Sequence, residues 1–262
     1  MLISTLGILL HIQSMLLIFC RIFFALQVLP IMEETKLPAA ARAGLSMILS
    51  LIAYYTVPLP TGQYSVDVLI FFILIMKECI VGLILGFGVS LFFQVYYFVG
   101  HLLSTQGGLA MSNLFDPTSG MQIPLIGKFY YLGFCVIFMV SGGYHWFITA
   151  LIETFKVIPL TEAVFKEELV FAVIHAVGVF WELSFKLASP IIAIIFIVDC
   201  GLGILARTVP QMNMFVIGVP LKVFILFGLL IITMGLLPVY NDVIMNQITG
   251  FFYSLIQGMM PQ

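Results

Sequence analysis

Charge is the first thing this sequence has little of. Only 8% of its 262 residues are charged, 10 basic against 12 acidic, for a net charge of −2; a soluble globular chain carries about 25%. No basic stripe is available to meet a nucleic-acid backbone, so no nucleic-acid partner is expected. Catalytic signatures are missing too. There is no HExxH, no phosphate-binding loop and no GxGxxG. The four histidines, His11, His101, His145 and His175, are solitary. His175 and Glu182 share a helical face, but two groups do not make a metal site. Cysteine is sparse: Cys20, Cys79, Cys135 and Cys200 lie far apart inside apolar segments with no CxxC, as packing thiols do. No repeat of 20–50 residues is visible. No catalytic residue, cofactor or metal is therefore expected, and the chain does not read as an enzyme.

What is present is apolar surface. Hydrophobic residues make up 62% of the chain and the mean hydropathy is +1.20. A soluble domain of this size could not hide that much, so the reading is an all-α integral membrane protein. Apolar segments cover 6–29, 39–57, 68–103, 125–152, 170–205 and 212–238, with a shorter amphipathic tail at 243–259. They predict about six long helices in hairpins. The first charge is Arg21, so the segment 6–29 lacks the basic flank of a signal peptide and is expected to be a retained helix. The breaks are legible: "LPIMEETKLPAA" (29–40), "VPLPTGQY" (57–64), "ETFKVIPLTEAVFKEEL" (153–169) and "RTVPQMN" (207–213). Lysine and arginine are too evenly spread among them to set an orientation.

Two segments, 68–103 and 170–205, have 36 residues each; as helices they would measure about 54 Å, against about 30 Å of hydrocarbon. Either they break inside the membrane, at Gly82, Gly86 and Gly88 or at Pro190, or the protein stands taller than a bilayer. The glycines of "GLILGFG" equally suit close helix packing. Both segments carry charge: Lys77 and Glu78 in one, Glu182, Lys186 and Asp199 in the other. Lipid penalises a central charge by about 2.5–3.5 kcal/mol. Glu182 and Lys186 have the spacing and order of a helical ion pair. These five are expected to form ion pairs facing protein or water, as in one piece of a larger bundle. A path for ions, as in a secondary transporter, is the other reading such charges allow.

The third break, "QGGLAMSNLFDPTSGMQIP" (106–124), mixes turn formers with apolar side chains. A surface turn accounts for Asp116-Pro117 and Gly120. It does not account for Leu109, Met111, Leu114, Phe115 and Met121, which need something to bury against. A Gly-rich loop tipped with Met and Phe could also fill a passage and move aside.

"ARTVPQMNMFVIGVPLK" (206–222) closely resembles the signature of the R-type export-gate subunits of bacterial flagella, the FliR/SctT family shared with virulence type III secretion systems. The matching positions are Ala206, Arg207, Pro210, Gln211, Met212, Phe215, Gly218, Pro220 and Leu221. Gln106, Gly108, Leu109 and Asp116-Pro117 also look like that family's third break, and Pro30, Pro38, Arg42 and Gly44 like its first. The resemblance covers nearly the whole chain, and the 206–222 run reads as flagellar.

That resemblance implies one subunit of a helical assembly with P-type and Q-type partners and the B-type switch subunit. The assembly would sit in the bacterial inner membrane at the flagellar basal body and pass unfolded export substrates. It implies a P-like part (1–182) and a Q-like hairpin with the amphipathic tail (183–262). It implies a pore plug at 106–121, with Gln106, Gly107, Gly108, Leu109, Met111, Leu114, Phe115, Asp116, Pro117 and Met121. It further implies a partner interface made by Arg207, Pro210, Gln211, Met212, Asn213, Phe215, Gly218, Pro220 and Lys222. Such assemblies stand largely above the membrane plane, which would explain the overlong segments.

Overall fold

The structure is a computed structural model that describes residues 2–30, 32, 37–57, 67–109, 125–209, 211 and 213–261. Among the described residues there are eight long helices and no strand: α1 (Leu2–Gln27), α2 (Ala39–Thr56), α3 (Val68–Gln106), α4 (Leu125–Val140), α5 (Gly143–Val157), α6 (Glu167–Thr208), α7 (Met214–Met234) and α8 (Leu237–Met259). In hydrocarbon every backbone N–H and C=O must be satisfied within the segment, which a helix does. Four helices, α1, α3, α6 and α7, are long and apolar enough to cross a membrane; α4 and α5 taken together would make a fifth.

The starts and stops have local causes. Asp67 accepts a hydrogen bond from the Leu69 N–H (3.1 Å) at the start of α3, as N-cap carboxylates do. α6 opens on Glu167 and Glu168 and closes on Arg207, charges that suit the helix dipole at each end. The segment expected as one helix over 125–152 is two. Gly142 takes a left-handed conformation (φ 78°) between α4 and α5, which glycine alone adopts without penalty. The two overlong segments, in contrast, do not break. α3 runs 39 residues and α6 runs 42, with Pro190 inside it; these are lengths of about 58 and 63 Å, twice the hydrocarbon thickness.

The chain divides into two compact units. The first comprises Met1–Leu91, Met139–Ala176 and Met245–Gln262. In it α1 and α3 run in the same direction and cross backbone to backbone. A Cβ on Gly82 would strike the Arg21 carbonyl oxygen, and one on Gly86 the Ala25 carbonyl oxygen. The small-xxx-small spacing thus serves packing rather than a break. The N–H groups of Val164 and Lys166 donate to the Met259 and Gly258 carbonyls (3.1 Å each), which supplies partners to the end of α8 that a helix cannot supply itself.

The second unit comprises Phe92–Phe138 and Val177–Ile244. Its core is aromatic. Phe93 packs edge-on against Phe134 and Phe138 at 4.7 and 4.9 Å, and Tyr96 stacks on Phe134 at 4.4 Å. α3 and α4 are antiparallel here, and a Cβ on Gly100 would collide with the Gly127 backbone. Tyr130 hydrogen-bonds Thr233 (2.7 Å), joining α4 to α7.

Candidate functional site

In the second unit the first residues of one signature stretch, 106–109, lie against α7, the helix that begins within the other, 206–222. α3 ends on Gln106, which is exposed. The Gly107 N–H donates to the Leu103 carbonyl (2.8 Å), and Gly108 turns the chain out with φ 82°, the left-handed close common at helix ends. Gly107 lies so close to α7 that a Cβ there would strike the Leu226 side chain; one on Gly108 would touch Val219 at 3.6 Å. Leu109 is half-buried. The base of the loop is therefore seated on α7, the helix that carries Gly218, Pro220 and Lys222. Met111, Leu114, Phe115, Asp116, Pro117 and Met121 lie outside the described residues.

The other stretch is the tip of the α6–α7 hairpin. Arg207, in the last turn of α6, is exposed, as are Gln211 and Asn213. The Val216 N–H donates to the Asn213 carbonyl (3.0 Å) as α7 begins. Pro210 and Met212 lie outside the described residues, and Phe215 is described only as part of the α7 backbone. Two contacts tie the arms below the tip. Gly218 lets the Leu202 side chain approach to 3.3 Å of where a Cβ would stand, and Lys222 forms an ion pair with Asp199. Pro220, exposed inside α7, cannot donate to the Val216 carbonyl, so that oxygen lacks its usual helical partner. The tip thus places a cation and two amide side chains on an otherwise apolar hairpin.

The remaining charged positions are placed differently from one another. Glu182 and Lys186 pair at 2.5 Å on the exposed face of α6. Lys77 and Glu78, neighbours in sequence, do not pair together. Glu78 binds the Arg21 Nε at 2.5 Å, with both side chains wholly buried. Its other oxygen accepts the Thr161 N–H (2.8 Å), and the Lys77 Nζ donates to the Thr161 carbonyl (2.8 Å). Arg21 also donates to the Ile158 carbonyl (3.0 Å) and lies over the Phe155 ring at 4.3 Å. Thr161 has a positive φ of 70°, strained for a β-branched residue; side chains holding its N–H and its C=O keep it there. Sequence reasoning missed Arg21 as the partner. The available signal was charge balance: Arg21 is the only charge within 6–29, and a carboxylate in an apolar helix needs a cation.

With this geometry in view, comparison with known proteins decides the family. Residues 12–248 match the family model described as bacterial export proteins, family 1. The chain belongs to that family. It is 31% identical over 228 residues to the flagellar biosynthetic protein FliR of Bacillus subtilis (strain 168), covering 86% of this chain and 87% of the relative. It is 24% identical over 238 residues to FliR of Escherichia coli (strain K12), covering 90% of each. It is 30% identical over 161 residues to the surface presentation of antigens protein SpaR of Shigella flexneri, covering 60% of this chain and 62% of the relative. The R-type export-gate resemblance read from Arg207, Gln211 and Gly218 thus extends to the matched length of the family.

Proposed function

We propose that this chain is the R-type subunit of a flagellar type III protein export gate in the bacterial inner membrane, at the flagellar basal body. The observation that carries the reading is the seating of Gly107 and Gly108 on Leu226 and Val219. It joins the base of the 106–121 loop to the hairpin bearing the 206–222 signature, in a chain matching flagellar relatives over 86–90% of its length. SpaR and the secretion system apparatus protein SsaT of Salmonella typhimurium match over 60% of it, which favours the flagellar reading over the homologous secretion systems.

In this reading the P-like part is 1–182 and the Q-like part 183–262. P-type, Q-type and B-type subunits cover the apolar faces, and unfolded flagellar proteins pass through the assembly. The exposed tip at Arg207, Gln211 and Asn213 contacts neighbouring subunits. The 106–121 loop closes the pore: its Met and Phe side chains fill an irregular constriction, and a hydrophobic constriction also closes by dewetting. Gly107, seated on α7, anchors the base of the loop. A few apolar side chains, each gaining about 1.5–3 kcal/mol if fully buried, hold such a plug without making it permanent.

The test is deletion of 108–120 with a short Gly-Ser linker, in cells co-expressing the partner subunits. Assembly measured by native mass should persist, membrane leakage to small ions should rise, and secretion of a flagellar substrate should change. An assembled deletion that neither leaks nor alters secretion removes the plug. A folded, monodisperse monomer in detergent with saturable uptake of a small solute would replace the export-gate reading by a transporter.

A further inference from the structure

Beside the Arg21–Glu78 pair lies a second pair that the export reading does not use. Cys20 precedes Arg21 on α1 and Cys79 follows Glu78 on α3. Their side chains interact with each other, and neither is in a disulfide. The backbones around them are brought together from two sides. Arg21 and Glu78 are bonded at 2.5 Å, and one helical turn on, Gly82 and Gly86 admit the Arg21 and Ala25 carbonyls where other residues would carry a Cβ. A disulfide requires Cα atoms within about 4.4–6.8 Å, a separation that helices reach only in so close a crossing.

We propose that Cys20 and Cys79 are a dithiol that oxidises to an intramolecular disulfide, a modification site that staples α1 to α3. The step is balanced with a diazene or a disulfide as oxidant. Two S–H bonds break and one S–S bond forms; the two hydrogens pass to the N=N bond, giving a hydrazine, or to the oxidant disulfide, giving two thiols. The other two cysteines act as internal controls: Cys135 is buried on α4 and Cys200 is exposed on α6, both in the second unit.

The experiment uses membranes containing the full chain with its co-expressed partners. They are treated with diamide, an uncharged, membrane-permeant diazene suited to thiols inside an apolar segment, then quenched with N-ethylmaleimide before denaturation, digestion and mass spectrometry. The expected result is loss of the two alkylated peptides bearing Cys20 and Cys79. One linked peptide lighter by two hydrogens replaces them and is undone by dithiothreitol. In Cys20→Ser the link disappears and Cys79 is recovered alkylated. Chain denatured before oxidation should give mixed pairs that include Cys135 and Cys200. Recovery of Cys20 and Cys79 as separate alkylated peptides from treated native membranes, under conditions that oxidise the mixed pairs of the denatured chain, would overturn the proposal. So would a native link joining Cys20 to a second chain.

Discussion

Two regions handle charge inside apolar helices in opposite ways. On α6, Glu182 and Lys186 face outward, 59% and 68% exposed, and satisfy each other one helical turn apart. At the α1–α3 crossing, Arg21 and Glu78 are 57 residues apart in sequence, wholly buried, and tied to Ile158 and Thr161 of the α5–α6 connection. The first pair is local, between residues one turn apart on a single helix. The second joins α1, α3 and the connection between α5 and α6, and holds Thr161 in a left-handed conformation with the help of Lys77. Asp199–Lys222 lies between these extremes, half-exposed and joining the two arms of one hairpin. The cost of losing a pair should follow burial and the number of segments joined.

The largest effect is expected at the buried junction. Glu78→Ala strands the Arg21 guanidinium away from water, which should cost about 3–5 kcal/mol and show as a fall in thermal stability and in recovered complex. Arg21→Met with Glu78→Met removes both charges and should cost less than Glu78→Ala alone. A double variant worse than the single would mean that the hydrogen bonds to Ile158 and Thr161 outweigh the ion pair. Next, Gly86→Ala drives a Cβ into the Ala25 carbonyl oxygen; overpacking typically costs about 1–3 kcal/mol, and since backbone cannot swing aside the upper end is expected in the melting temperature. Lys222→Ala should be milder, about 1 kcal/mol, read as increased protease sensitivity of the α6–α7 hairpin. Smallest is Lys186→Gln, at most about 0.5 kcal/mol in the isolated chain. If Lys186→Gln lowers the yield of the assembled complex as much as Glu78→Ala does, the outward pair is covered by a partner, and the comparison drawn from this chain no longer holds in the assembly.

The elements were readable because their causes are local. Pro58 and Pro60 in the break after α2 mark a boundary through missing N–H groups that sequence shows directly, whereas Glu167 and Glu168, placed in the break 153–169 by their charge, open α6. The break at Gly142 was not readable, since a glycine within an apolar run serves a turn and a helix crossing equally well. Gly82 and Gly86 raised the same ambiguity and were resolved the other way, by the Arg21 and Ala25 carbonyls that occupy their missing side chains. The site was legible as two short polar stretches about a hundred residues apart. That both rest on α7 was not, because Gly107 and Leu226 are joined by shape alone.

By itself the sequence determined the class of molecule, its helical character and the family. An 8% charged chain of mean hydropathy +1.20 has to bond its backbone internally in lipid, and the helix is the way such apolar segments do it. It also determined the Glu182–Lys186 pair, because helix geometry places residues four apart on one face. Only the tertiary structure decided that Glu78 answers Arg21 rather than Lys77, that Cys20 meets Cys79, and that Thr161 is held with φ positive. Each depends on where α1 crosses α3, and that crossing is chosen by packing between backbones, which no local spacing encodes.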